Sequence, residues 1–170
     1  MSMPKRPTLH GRSSSLRKGR ISEDYACYSI TKRVNNWERL LATPATSRIV
    51  LDSWNYLRSR GRIKLFTFCI MPDHFHMILC LMPGEDLSKV FEDSGKFTAR
   101  ELNKLLGRSG QFWQEGFHDH RCRNENELHD LSLYIEHNPI RAGLVAAADL
   151  WPFSSAFPEN HGMLDREWWP

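Results

Sequence analysis

The chain has 170 residues, a length that one domain with a single core accommodates. Its hydrophobic share of 41% and charged share of 25% are ordinary for a globular protein and exclude a disordered body. A net charge of only +3 excludes inferring a nucleic-acid role from bulk charge, so such a role needs local clusters or a chemical site.

Residues 1–22 read as a basic, flexible arm: Lys5, Arg6, Arg12, Arg17, Lys18 and Arg20 occur there with Gly11 and Ser13 to Ser15 and no acid. Positions 21–170 hold the remaining 17 Lys and Arg against 20 Asp and Glu. A folded domain is expected over 23–157, followed by a tail over 158–170 that carries Trp168 and Trp169. Tyr25 to Thr31, aromatic and rich in β-favouring types, predicts a first strand. Ser47 to Arg60 places Ile49, Val50, Trp54 and Leu57 at helical spacing after Pro44, with Thr46 as the expected cap. Ile63 to Met71 and His74 to Leu81 predict a hairpin around Pro72-Asp73.

Asp86 to Leu106 predicts a second helix with Leu87, Val90, Phe91, Leu102, Leu105 and Leu106 as its apolar set. Gly95 is a candidate break in it, and Gly107 and Gly110 are its stop. Phe112 to Arg123 reads as a polar strand. Asn124 with Glu127 three residues on predicts a capped third helix that stops near Asn138, before Pro139. The order β-α-β-β-α-β-α implies the α+β class, a mainly antiparallel sheet with covering helices. Cys27, Cys69, Cys80 and Cys122 are too widely spaced for a metal or redox motif and read as reduced core residues. No apolar run follows the N-terminal charges, and Leu65 to Met82 is broken by Pro72, Asp73, His74 and His76. Neither secretion nor membrane insertion is expected, and the placement is cytoplasmic.

The chemistry concentrates in Met71-Pro72-Asp73-His74-Phe75-His76. On an extended segment His74 and His76 share one face while Phe75 enters the other, and imidazoles about 7 Å apart along a strand can converge on one divalent ion. Such a pair is more often two polar strand positions. His118 and His120, around the polar Asp119, are read in that way, as a polar or edge strand. On the third helix Tyr134 and Asn138 are four apart, whereas Leu128, Leu131 and Ile135 line a core face. A phenol can be a covalent nucleophile and an amide oxygen can complete a hard-cation site. The bland alternative is a core-edge tyrosine and a helix-ending asparagine.

Lys96, Arg100, Lys104 and Arg108, each four apart, form a basic stripe along the second helix, suited to phosphate contacts or to plain solvation. Arg58, Arg60, Arg62 and Lys64 near the hairpin, and Arg121 and Arg123, are secondary DNA-binding candidates, as is the arm. Trp37 and Trp113 are candidate stacking surfaces for single-stranded bases, each with core packing as the alternative. Asp130 and Glu127, one and two turns before Tyr134, are candidate proton relays or solvated carboxylates.

The Met71–His76 motif, Trp113-Gln114 with Phe117-His118-Asp119, the run from Tyr134 through Asn138-Pro139-Ile140-Arg141-Ala142-Gly143-Leu144-Val145, and Trp151-Pro152-Phe153-Ser154-Ser155 together resemble the REP-associated tyrosine transposases of the single-tyrosine HUH superfamily. The resemblance covers about Tyr25 to Ser155 and departs from the family pattern at Val34 to Thr46. It implies a ferredoxin-like or RRM-like HUH endonuclease fold. It also implies a divalent ion, Mg2+ or Mn2+, held by His74, His76 and Asn138, with Tyr134 attacking a phosphate to form a 5′-phosphotyrosine. The implied partners are single-stranded DNA and the hairpins of repetitive extragenic palindromes (REP elements), acted on by a monomer or homodimer. Two rivals remain at this point: a silent hairpin-binding module, and an oxygenase-type metalloenzyme, which leaves the tyrosine-asparagine pair without a role.

Overall fold

A computed structural model describes residues 22–169; the basic arm lies outside them, apart from Ser22. The elements are β1 (Cys27–Arg33), α1 (Pro44–Ser59), β2 (Ile63–Ile70), β3 (His74–Leu81), α2 (Leu87–Leu105), β4 (His118–Arg121), α3 (Glu125–Glu136) and the single turn α4 (Asn138–Arg141). The strands form one sheet in the order β2-β3-β1-β4 with every neighbouring pair antiparallel, which is the α+β arrangement expected from the sequence. Strand alternation divides the molecule into three layers. Ile30, Ile63, Leu65, Phe68, Ile70, Phe75, Met77, Leu79 and Leu81 face α1 and α2 in the larger core. Phe66, Cys69, Met71, Ile78 and Cys80 face α3 across a smaller one. Burial on both faces explains why β2 and β3 read as nearly continuous apolar runs.

Local chemistry moves several predicted boundaries. The first strand starts two residues later than predicted and runs to Arg33, because Lys32 and Arg33 still pair with β3. Helix α1 starts at Pro44 with Thr43 as its cap. Thr46, the expected cap, is the reciprocal member of the capping box, its hydroxyl accepting from Thr43 N. Gly95 does not break α2; it packs over the buried Lys32, whose Cε would lie at an ordinary contact distance of 3.8 Å from an added Cβ. Leu105 and Leu106 are exposed rather than core residues.

The predicted strand Phe112 to Arg123 contracts to the four residues of β4. Phe112 and Trp113 are instead buried in the larger core, and the Trp113 indole N–H donates to Thr98 Oγ1 at 2.9 Å. Asn124 caps α3 as expected, while the Glu127 carboxylate accepts from Arg123 N rather than from the cap itself. Pro139 does not end the helical path. It occupies the start of α4, where a missing N–H costs nothing.

The end of the expected domain and the segment read as a tail both run along the β2 edge. Phe153 O accepts from Ile70 N, Ser155 N donates to Phe68 O, and Asp165 N donates to Leu65 O. Leu164 enters the larger core, Trp169 packs edge-on against Phe66, and Trp168 lies between Tyr25 and Lys64. All four cysteines are free thiols, with Cys69 and Cys80 buried and Cys27 and Cys122 half-buried. No described helix is long and apolar enough to cross a membrane.

Candidate metal and nucleophile site

β3 starts with the histidine motif, and its alternation does what the sequence implies. Phe75 is wedged between Trp54 and Trp113, at ring-centre distances of 5.0 and 5.5 Å, and so locks the two flanking histidines onto the α3 side. The turn ahead of them is closed by Met71 N donating to His74 O at 2.8 Å. His74 Nδ1 donates to Asp73 Oδ1 at 2.6 Å, and His76 Nδ1 meets Thr31 Oγ1 at 2.7 Å. The two Nε2 atoms thereby converge to 3.1 Å. Asp73, as a carboxylate, accepts only, so His74 carries its proton on Nδ1 and turns the Nε2 lone pair inward. Thr31 can donate or accept, so either tautomer of His76 is accommodated.

The donor set fits a hard or borderline divalent ion. Nitrogens held ~2.1 Å from one ion at right angles lie about 3 Å apart, which is the observed Nε2 separation. Asp73 and Thr31 are the outer partners that such imidazole ligands require. Burial first, then the charge that His74 carries when protonated and those of Arg141 and Arg33, hold His76 well below its ordinary value and favour the neutral ring. Among the described residues no three His, Cys, Asp or Glu side chains are grouped for a metal.

α3 packs its Leu128 and Ile135 into the smaller core and is fastened to β2 by Thr67 Oγ1 donating to Ser132 Oγ at 2.9 Å. Tyr134 lies half-buried against the same cluster as Cys69, Met71 and Ile78, and Asn138 follows one turn later. Arg141 spans the two. Its Nη2 donates to Tyr134 O at 2.7 Å and to Asn138 Oδ1 at 2.9 Å, its guanidinium carbon stands 3.8 Å from the Tyr134 ring centre, and its charge is felt at His76. Asn138 Nδ2 is buried without a hydrogen-bond partner. A half-turn of the amide would put its oxygen into that space, at the expense of the Arg141 contact, which makes Asn138 a fitting oxygen donor.

Other residues sort differently from the sequence reading. Thr31 pairs with His76 on one side and His118 on the other, so His118, read as a plain strand position, lies on the histidine face, while β4 is indeed an edge strand. Burial and the Arg33 charge lower the His118 pKa, while Asp119 opposes them. Arg58 is clamped by Asp165 at 2.8 and 2.9 Å, and Arg62 by Glu85 and Asp93 at 2.7 and 3.0 Å, so both guanidinia are committed to the fold. Arg108 does not extend the basic stripe: α2 ends at Leu105, Gly107 turns away with φ 62, and Arg108 grips Glu38.

Lys96, Arg100 and Lys104 remain on α2, across the sheet from the histidines, with Lys96 paired to Glu92 and Arg100 to Glu101. Arg121 pairs with Glu23, and Arg123 is exposed just before α3. Glu127 is held by His120 and Arg123 N, leaving Asp130 as the exposed carboxylate of the pair. Sequence reasoning gave no role to Thr31, Arg33 or Arg141 and read Asp73 only as a turn residue. Arg141, two turns after Tyr134, would have been found by continuing the helix through Pro139.

A family model described as "Transposase IS200 like" matches residues 27–138. A protein of Haemophilus influenzae described as a candidate REP-associated tyrosine transposase is 31% identical over 111 residues, 59% of this chain and 63% of the relative, so the match spans less than two thirds of that protein. Among solved structures, that of a REP-associated tyrosine transposase bound to a REP hairpin superposes with a TM-score of 0.70 at 22% identity, covering 89% of this chain and 86% of that one. A candidate transposase of Deinococcus radiodurans superposes with a TM-score of 0.50 at 16% identity, covering 71% and 96%. At these identities the two structural matches establish the shared fold alone.

Proposed function

The chain belongs to the IS200-like transposase family, and from that premise we propose that it is a metal-dependent single-strand DNA endonuclease and strand transferase acting on REP-type hairpins. The observation that carries the proposal is the convergence of two imidazole Nε2 atoms, each backed at Nδ1, on the face where Tyr134, Asn138 and Arg141 meet. A phenol beside a site suited to a divalent ion is the minimal equipment for covalent phosphodiester transfer. An Mg2+ or Mn2+ ion held by His74, His76 and Asn138 would supply positive charge to a non-bridging phosphate oxygen.

The chain's own groups do the rest. The Tyr134 oxygen attacks phosphorus, a 5′-phosphotyrosine bond forms, the bond to the 3′ oxygen breaks, and that oxygen leaves as a hydroxyl after taking up a proton. Asp130, exposed on the preceding turn, is the candidate carrier of the phenol proton. Arg141, spanning Tyr134 and Asn138, is placed to accept the phosphate when it releases the amide oxygen. Because the phosphodiester energy is retained in the tyrosine ester, the same site can rejoin the end to another strand. The proposed partners are single strands and hairpins of DNA.

The test is cleavage of an end-labelled REP-type hairpin with single-stranded flanks in Mn2+. Wild type is expected to give a nicked strand and a protein–DNA adduct, and Tyr134→Phe to lose both by at least about 100-fold while binding the hairpin within about twofold. A wild-type protein that binds but gives no adduct at any metal concentration would be the silent hairpin-binding module instead.

A further inference from the structure

Residues 34–41 lead from β1 to α1 past the histidine turn, and they are bolted to the elements that build it. Val34 N donates to Asp73 O at 2.9 Å, Leu41 N to Pro72 O at 2.9 Å and Asn35 N to Phe112 O at 2.8 Å. Glu38 receives both guanidinium nitrogens of Arg108, at 2.7 and 2.9 Å. A loop tied this closely is rigid, yet it holds a tryptophan outward: Trp37 is 55% exposed. Asn36 and Trp37 both adopt left-handed backbone, with φ of 55 and 58. That conformation is disfavoured for residues with a Cβ and persists only where the surroundings over-determine it.

Along the chain the indole is flanked by polar and charged residues, Asn35, Asn36, Glu38 and Arg39. It is backed by a cation: the Arg33 guanidinium carbon is 3.9 Å from its ring centre. Arg33 is the cross-strand partner of His74. The surface is thus a rigid aromatic face beside positive charge, one strand from the site proposed for phosphodiester chemistry. An aromatic face paired with a guanidinium suits a planar, anionic ligand better than an apolar one. An unstacked nucleobase with its adjoining phosphate matches both halves of the surface.

We infer that Trp37, supported by Arg33, is a stacking platform for one base of the single-stranded DNA beside the hairpin, holding that strand against the histidine site. For its substrate class this inference rests on the proposed function, but its readout needs neither metal nor cleavage.

The experiment is an anisotropy titration of the full chain, in EDTA, with a labelled hairpin bearing a single-stranded flank and with the same hairpin blunt. Trp37→Ala is expected to weaken binding of the flanked hairpin about 10-fold and of the blunt one by less than about twofold, with Trp37→Phe restoring most of the difference. Abasic substitution along the flank should find one position where wild type loses the same factor and Trp37→Ala loses nothing further. The platform is overturned if Trp37→Ala binds the flanked hairpin as tightly as wild type, if it weakens blunt and flanked hairpins alike, or if wild type does not prefer the flanked form. Cleavage by wild type together with an unaffected Trp37→Ala would sink the platform and spare the enzyme reading. A flank-specific loss in a protein that never cleaves would do the reverse.

Discussion

Single atoms decide whether the histidine pair is a ligand set or a pair of polar strand residues. His74 and His76 would each have a free choice of tautomer on a solvated strand; here Asp73 assigns the proton of one ring and Thr31 anchors the other. Outer-shell partners of this kind commonly carry 10–100-fold in metal affinity. Asp73→Ala is therefore expected to weaken Mn2+ binding by at least about 10-fold in a calorimetric titration, with little change in the melting temperature because the carboxylate is partly exposed. An unchanged affinity would mean that the ring orientation is set by packing on Phe75 alone. Neither Asp73 nor Thr31 was legible as a ligand-orienting residue. Asp73 has a sufficient explanation as a turn former, and Thr31 becomes relevant only once β1 is placed beside β3 in register.

At the scale of elements, the β2 edge is closed by the chain from Phe153 to Asp165. Asp165 accepts from Leu65 N at 2.8 Å while gripping Arg58, so one carboxylate satisfies a strand amide and a guanidinium together. Burial raises its pKa, but the Arg58 and Leu65 hydrogen bonds and the nearby positive charges outweigh this, and it titrates below the ordinary carboxylate range. The sign follows from linkage. The unfolded chain takes up the proton first, near pH ~4, so the stabilisation is complete above that pH and is lost as pH falls through the lower folded value. Acid titration is expected to change the fluorescence of Trp168 and Trp169 in that window, and Asp165→Asn to remove the pH dependence at a cost of about 2 kcal/mol at neutral pH. The sequence reading assigned Arg58 to DNA because basic residues near a hairpin carry no mark of the acid they will meet 107 positions later.

For the whole molecule, the sheet separates two positive regions. Arg33 is the cross-strand partner of His74 and the Arg141 charge acts on His76, whereas Lys96, Arg100 and Lys104 lie on the opposite layer. Layers pack about 10 Å apart and charges are screened over about 8 Å in physiological salt, so the stripe cannot stabilise charge at the proposed phosphate. If all three of its cations contact a hairpin stem, replacing them with Gln should lower the slope of log affinity against log salt by about 3, and the nicking rate at saturating DNA should not change. An unaltered slope would make the stripe a solvated face with exposed ion pairs to Glu92 and Glu101.

The elements and their order were readable because β-favouring content, the helical spacing of apolar residues, Asn124 as a cap and Pro72-Asp73 as a turn are local properties. The same locality carried His74 and His76 onto one face of a strand, while Tyr134 lies on α3 and Asn138 opens α4 one turn later. Tertiary structure alone decided which side of the sheet each helix covers. It also decided that Arg58, Arg62 and Arg108 bind carboxylates, that His118 joins the row of His76, and that Trp37 stays outside while Trp113 is buried. Those outcomes depend on contacts between residues tens of positions apart, and the free energy of such contacts is set by burial and partner geometry that no short window of sequence contains.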